Sequence, residues 1–209
     1  MRKSSNDHVA RVFDKEAATY DRSMQRWERF VLGRGRQWAT AHASGEVLEI
    51  AVGTGLNVAN YPTSTQVLGV ELSEEMLAIA RRRATELGLG DRVQLVQGDA
   101  QKLDLPDGSR DTVVSTYTMC TIPDPDAAAR EAFRVLRPGG RALLVEHGPS
   151  TNSVVCAGQR MVEPLTVHFA ADHLTRNPIA YLERAGFAID EAHRSTVGVV
   201  FRVAARKPS

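Results

Sequence analysis

The sequence predicts a doubly wound α/β domain, and three observations carry that expectation. From Gly45 onward, short apolar runs alternate with helical segments, the pattern of a parallel sheet covered by helices on both faces. The first run, 47–51, leads straight into a turn built on Gly53 and Gly55. The next two runs are closed by acidic residues, Glu71 and then Asp99, at the sheet edge where open parallel sheets bind ligands.

The elements follow in order. Two helices are expected at 6–18 and 22–42. In the second, Trp27, Phe30, Val31 and Trp38 can share one face, and Arg22, Arg26 and Arg29 another. Strands are expected at 47–51, 67–71, 93–97, 112–116 and 141–146, with helices near 56–60, 73–87 and 125–136. Ser73 is a natural cap for its helix, with Glu74 and Glu75 in the first turn. Pro123 and Pro125 bracket the entry to the 125–136 helix, and Pro138-Gly139-Gly140 ends it. Segment 152–172 reads as a helix that interrupts the sheet. A last helix near 175–185 stops at Gly186, and 187–194 with 197–204 form a terminal hairpin.

Composition narrows the classes. The 209 residues carry 26 basic and 25 acidic side chains, a net charge of +1 that gives no reason to expect nucleic acid. The two cysteines, Cys120 and Cys156, can form at most one bridge, no Cys/His spacing suits zinc, and no metal is expected. The N-terminus is too polar for a signal peptide, and no apolar run approaches the roughly 18 residues of a membrane span. A cytoplasmic setting is expected.

The segment VLEIAVGTGLN, residues 47–57, is a buried strand, a glycine turn and a helix start. Gly53 and Gly55 let the backbone turn sharply and lie close to a ligand. A nicotinamide fingerprint would need its third glycine at Val58, which argues against an oxidoreductase. Glu71 lies 22 residues after Glu49, where a carboxylate can accept from both ribose hydroxyls. Asp99 can accept from an adenine amino group. Each residue alone also suits a purely structural role; three at successive strand ends make a site.

VLEIAVGTGLN, GVELSEEML, QGDAQKLDLPDGSRDTVVS and EAFRVLRPGGRALLVEHG together resemble a class I S-adenosylmethionine-dependent methyltransferase, in the branch of the ubiquinone and menaquinone C-methyltransferases. The resemblance implies a Rossmann-like sheet of seven strands, the last antiparallel. It places Gly53 and Gly55 against the methionine part of S-adenosylmethionine, with Glu49 beneath it. Glu71 holds the ribose, Leu72 and Met76 flank the adenine, and Asp99 with Ala100 reads its edge. Thr116 and Tyr117 face the sulfonium. VFDKEAATYD, residues 12–21, resembles the branch's entry helix, which makes Tyr20 a lid contact. Where the family has glycine this chain has Ala51, a residue strained if the position needs φ > 0. On this reading residues 1–43 form a helical lid, 44–148 the cofactor-binding half, and 149–209 a substrate-side helix and the terminal strands.

A second likeness concerns the acceptor. STYTMCTIPDP, RVLRPGGRALLVEHG and HLTRNPIAYLERAGF are similar to alkyl-thiol methyltransferases and to bacterial phosphatidylethanolamine N-methyltransferases. Many such sequences carry Gly-Cys before the histidine; here Ala171-Asp172 precedes His173, which suggests either an Asp172–His173 pair or a different acceptor. His147, at the end of the fifth strand, and His173 are the candidate catalytic residues, each with a structural alternative. His168, in VHFAA, reads as a core histidine, and Cys120 as a small buried side chain. Arg22, Arg26, Arg29, Arg34 and Arg36 read as a solvated basic face, with a phospholipid surface as the lesser alternative. The expected function is methyl transfer from S-adenosylmethionine, with S-adenosylhomocysteine as product, to a thiol, hydroxyl or amine of a specialised metabolite or xenobiotic. Phosphatidylethanolamine N-methylation is the alternative, and a noncatalytic S-adenosylmethionine-binding module is the rival from another class.

Overall fold

The computed structural model describes residues 5–29 and 33–209. Helices α1 (Asn6–Trp27) and α2 (Gly35–Ala41) precede β1 (Glu46–Ile50). There follow β2 (Gln66–Glu71), α3 (Glu74–Glu86), β3 (Val93–Gln97), β4 (Arg110–Thr116), α4 (Pro125–Val135) and β5 (Leu136–His147). The chain ends with α5 (Ser153–Ala170), α6 (Pro178–Ala185), β6 (Ala188–Arg194) and β7 (Val200–Arg206). The seven strands lie in the order β3-β2-β1-β4-β5-β7-β6. Neighbours from β3 to β5 run parallel, while β7 runs antiparallel to both β5 and β6. The strand order reverses between β1 and β4, which makes the carboxyl ends of these strands the natural ligand crevice.

Side-chain alternation along the strands feeds two cores. Leu48, Ile50, Val113 and Leu144 face one side and meet Ala128, Ala132 and Leu182 of α4 and α6. Val47, Val114, Leu143 and Val145 face the other and meet Ala39 of α2 and Ala84 of α3. Caps fix the helix starts. Ser73 accepts from the Met76 N–H at 3.2 Å, and Asp124 accepts from the Ala127 N–H at 3.1 Å with Pro125 beside it. Gly186, at φ 101°, ends α6 where expected.

Four elements differ from the sequence expectation. The N-terminal helix runs unbroken from Asn6 to Trp27, because nothing between residues 18 and 22 breaks it. Asp21 accepts from the Thr54 hydroxyl at 2.6 Å and pairs with Arg83. The proposed face joining Trp27 to Trp38 therefore does not exist as one helix, and Phe30 and Val31 lie outside the described residues. Residues 58–60 form a single 3₁₀ turn where a helix was expected. Pro138-Gly140 lies inside β5, which pairs from Leu136 and shifts register before Arg141. The carbonyls at the end of α4 are met by Lys207, whose Nζ donates to Phe133 O and Leu136 O at 2.9 and 2.8 Å. His168 is exposed on α5 rather than in the core.

Ala51 sits at φ 50°, so the methyl group does occupy a left-handed position. An L-residue pays roughly 1–2 kcal/mol there, partly offset by glycine's greater unfolded entropy. Ala51→Gly is expected to stabilise the fold by about 1 kcal/mol, a rise in Tm of roughly 2–4 °C read by calorimetry.

Candidate functional site

A cleft opens over the carboxyl ends of the strands and is roofed by α1. Tyr20, Ala51, Gly53, Glu71, Leu72, Met76, Asp99, Ala100, Thr116 and Tyr117 all line it, together with Asn6, Val9 and Phe13 of α1. Two residues of the expected set lie elsewhere. Glu49 is buried below the loop, where Asn57 Nδ2 and the Tyr61 hydroxyl donate to it at 2.7 and 2.8 Å. Gly55 faces α3, and a Cβ there would meet Ala80 at 3.2 Å, so this glycine serves helix packing.

The two acidic residues of the cleft are held by backbone and by α1. Glu71 Oε2 accepts from the Gly53 N–H at 2.8 Å, and Oε1 from the Leu72 and Ser73 N–H groups at 2.9 Å. Burial still raises its pKa despite those three bonds. Asp99 Oδ1 accepts from the Gln101 backbone at 2.9 Å, and Oδ2 accepts from the Asn6 amide at 2.7 Å. Asp14 accepts from the Ser73 hydroxyl at 2.5 Å. Asn6, Asp14 and Asp21 are spaced by eight and seven residues, so one face of α1 meets the sheet edge at three points. Val9, Phe13 and Tyr20 fill the apolar side of that roof, and burial pushes the Tyr20 hydroxyl up to about 12.

Arg36 is the main residue that sequence reasoning misplaced. It is not on a solvated face: its side chain is 11% exposed, and it pairs with Glu28 and donates to Thr116 Oγ1 at 2.7 Å. Its guanidinium also lies over the Tyr117 ring, 5.0 Å from the centroid. Burial opposes the charge, but Tyr20 and Glu28 outweigh it and raise the pKa. One arginine among five carries no local signal of this. Arg22, Arg26 and Arg34 are exposed as expected.

The candidate catalytic histidines are close but not partnered as expected. Asp172 pairs with His147, not with His173: His147 Nε2 lies 3.0 Å from Asp172 Oδ1. Burial lowers the His147 pKa, yet the Asp172 carboxylate more than compensates and raises it above 6.5. Asp172 is lowered in turn, because His147 outweighs its burial. His173 Nδ1 faces Glu163 at 3.8 Å, its backbone N–H donates to Cys120 O at 3.0 Å, and burial with Arg176 lowers its pKa. It caps no helix, since α6 starts at Pro178 with Asn177 as its cap. Cys120 is buried as expected, and burial followed by Asp172 pushes its thiol well up. Among the described residues, Cys120, His147 and Asp172 bring ligand-type atoms within 4.8 Å of one another, the geometry in which a metal ion can be held.

A methyltransferase-domain family model matches residues 48–144. The chain is 36% identical over 179 residues to the phosphatidylethanolamine N-methyltransferase of Cereibacter sphaeroides, covering 78% of this chain and 88% of the relative. It is 36% identical over 160 residues to the ubiquinone/menaquinone C-methyltransferase UbiE of Hahella chejuensis, covering 71% of this chain and 63% of UbiE. The chain belongs to the class I S-adenosylmethionine-dependent methyltransferases. The cyclase SpnF shares the fold at a TM-score of 0.80 and 19% identity, over 100% of this chain and 98% of its own, so the fold alone does not fix a reaction.

S-adenosylmethionine is the methyl donor of this methyltransferase, and the cleft suits it. A Cβ on Gly53 would meet nothing within 4 Å, so the loop presents open backbone to the cleft. Two carboxylates and the apolar Leu72 and Met76 share its lining, a mixture appropriate to a ribose and a purine. The turn after β1 runs into a 3₁₀ turn rather than a helix, and so offers no helix N-terminus for a dinucleotide's pyrophosphate.

Two buried carboxylates make stability depend on pH. Burial pushes both Glu49 and Glu146 up to about 7. Such a group binds its proton more tightly folded than unfolded. Its contribution is therefore complete below about pH 4.5 and lost as pH rises through about 7. The Tm of wild type relative to Glu146→Gln is expected to rise as pH falls from about 7 to about 5, measured by scanning calorimetry.

Proposed function

We propose that this methyltransferase acts on an amine, thiol or hydroxyl of an apolar small molecule, with the His147–Asp172 pair accepting the proton. The observation that carries the proposal is that pair. It stands at the end of β5 beside Cys120, which lies in the loop after β4 between the cleft-lining Thr118 and Thr121. Within the cleft, Glu71 is assigned to the ribose hydroxyls and Leu72 with Met76 to the adenine faces. Asp99 takes the adenine amino group, with the Asn6 amide showing the kind of donor it accepts. Thr116 and Tyr117 border the reacting carbon, and Tyr20 closes the roof as a lid contact.

When bound, S-adenosylmethionine supplies a methyl group on a positively charged sulfur. That methyl would pass to the acceptor's lone pair, the carbon–sulfur electron pair remaining with sulfur. The chain's residues align the acceptor and remove its proton. His147 must be neutral to take that proton, and Asp172 both orients the ring and stabilises the charge it gains. His173 is assigned a positioning role, joining α5 through Glu163 to the Cys120 loop.

Phosphatidylethanolamine N-methylation is the second reading. It is favoured by the relative of that name, most of whose length this chain spans. In both readings α1 and α5 shape the acceptor entrance.

Glu71→Ala and Asp99→Ala are each expected to weaken S-adenosylmethionine binding at least about tenfold by calorimetric titration, the cost of an unpaired buried donor or acceptor. Unchanged affinity in both would remove the donor-site assignment. With an amine, thiol and alcohol panel, turnover is expected to rise with pH through an inflection above 6.5, since protonated His147 cannot accept. Asp172→Asn is expected to move that inflection down, because burial is then opposed only by the weaker pull of Glu146 and Glu163. An unmoved profile would take the pair out of catalysis.

A further inference from the structure

Helix α5 is amphipathic in the reverse sense. Gln159, Glu163 and Thr166, spaced by four and three residues, tie it to the body of the protein. Gln159 donates to Gly148 O at 2.9 Å, Glu163 accepts from the Thr175 hydroxyl at 2.6 Å, and Thr166 donates to Asp172 O at 2.7 Å. Among its described residues none is buried. Val154 is 78% exposed, Met161 76%, Leu165 62% and Phe169 70%, with Val162 at 38%. These five recur at helical spacing and form one outward stripe, roughly 22 Å long at 1.5 Å per residue. A helix of a freestanding globule turns its apolar face inward; here the polar face does the anchoring.

The charges beside the stripe say what covers it. On α5 itself Arg160 is an exposed cation, and the acid Glu163 is turned to the body. At the C-terminal end, Arg11 and Lys15 of α1 share a groove with His168 and Phe169. Glu16 is the one acid there, and burial followed by Asp172 raises its pKa. No helix of the described residues is long and apolar enough to cross a membrane. An apolar stripe bordered by cations, on a helix too polar to span, has the chemistry of a face that lies in the plane of an anionic bilayer.

We propose that α5 docks this methyltransferase on anionic phospholipid, the stripe from Val154 to Phe169 entering the acyl boundary and Arg11, Lys15 and Arg160 meeting the headgroups. This holds whichever acceptor is used. Docking also places the helix that carries Glu163, the partner of His173, at the bilayer surface.

The full chain is tested by co-sedimentation with phosphatidylglycerol and with phosphatidylcholine vesicles, without donor or acceptor. Binding is expected to phosphatidylglycerol and to be at least tenfold weaker to phosphatidylcholine, falling as salt rises. Leu165→Asp with Phe169→Asp is expected to abolish it, and Arg11→Glu with Lys15→Glu to weaken it at least tenfold. S-adenosylmethionine affinity should stay unchanged in both pairs, which separates a lost surface from a lost fold. Failure of wild type to bind phosphatidylglycerol overturns the proposal, as do variants that bind like wild type. A concentration-dependent dimer that the Leu165/Phe169 variant disperses also overturns it, by assigning the stripe to a second copy. None of these outcomes bears on the His147–Asp172 assignment, which is read from turnover in solution.

Discussion

A buried positive charge sits at the switch point of the sheet, and much of the site is arranged around it. Arg36 reaches from α2 to Thr116 at the end of β4 and pairs with Glu28 near the end of α1. Asn57 donates to both Thr116 and Glu49, which joins the ends of β1 and β4 beneath the glycine loop. A buried guanidinium left unpaired would cost several kcal/mol, so the segment bearing Glu28 is bound to this centre. The Tyr117 ring lies against the same guanidinium, with φ at 58°. Positioning of the cleft wall and neutralisation of the arginine are therefore one problem with one solution.

The roof follows from a different economy. α1 spans the carboxyl edge and presents to it three polar and three apolar side chains. Asn6, Asp14 and Asp21 contact β3, α3 and the glycine loop through Asp99, Ser73 and Thr54, while Val9, Phe13 and Tyr20 look into the cleft. Each contact is a hydrogen bond at a partly open edge, individually worth about 1 kcal/mol. Such a roof holds by the sum of its contacts rather than by any one of them. The acceptor side proposed here draws on three separate elements, the β4–α4 loop, the end of β5 and the α5–α6 connection. None of the residues of α5 or of its connection to α6 lines the cleft over the strand ends.

Wherever a local rule has one outcome, the sequence was legible. Strand–turn–helix alternation, the cap at Ser73, the stop at Gly186 and the terminal hairpin follow from neighbouring residues, as do the acids at the ends of β2 and β3. Even the doubt over Ala51 was local, because a family glycine marks a backbone position. The unbroken α1 was within reach as well: the spacing of Asn6, Asp14 and Asp21 puts three polar groups on one face once the helix is not divided.

What the sequence by itself determined, then, is the α/β domain and the gathering of the strand-end acids in one cleft, because period-two and helical patterns together with those acids are encoded within a few residues of one another. The tertiary structure alone decided which charges are paired and which faces are covered. Arg36 differs from Arg34 only in what lies opposite it, Asp172 chooses His147 across 25 residues of sequence rather than its neighbour His173, and α5 turns its apolar stripe outward. Burial and electrostatic partnership are properties of distances between distant segments, and no local pattern contains them.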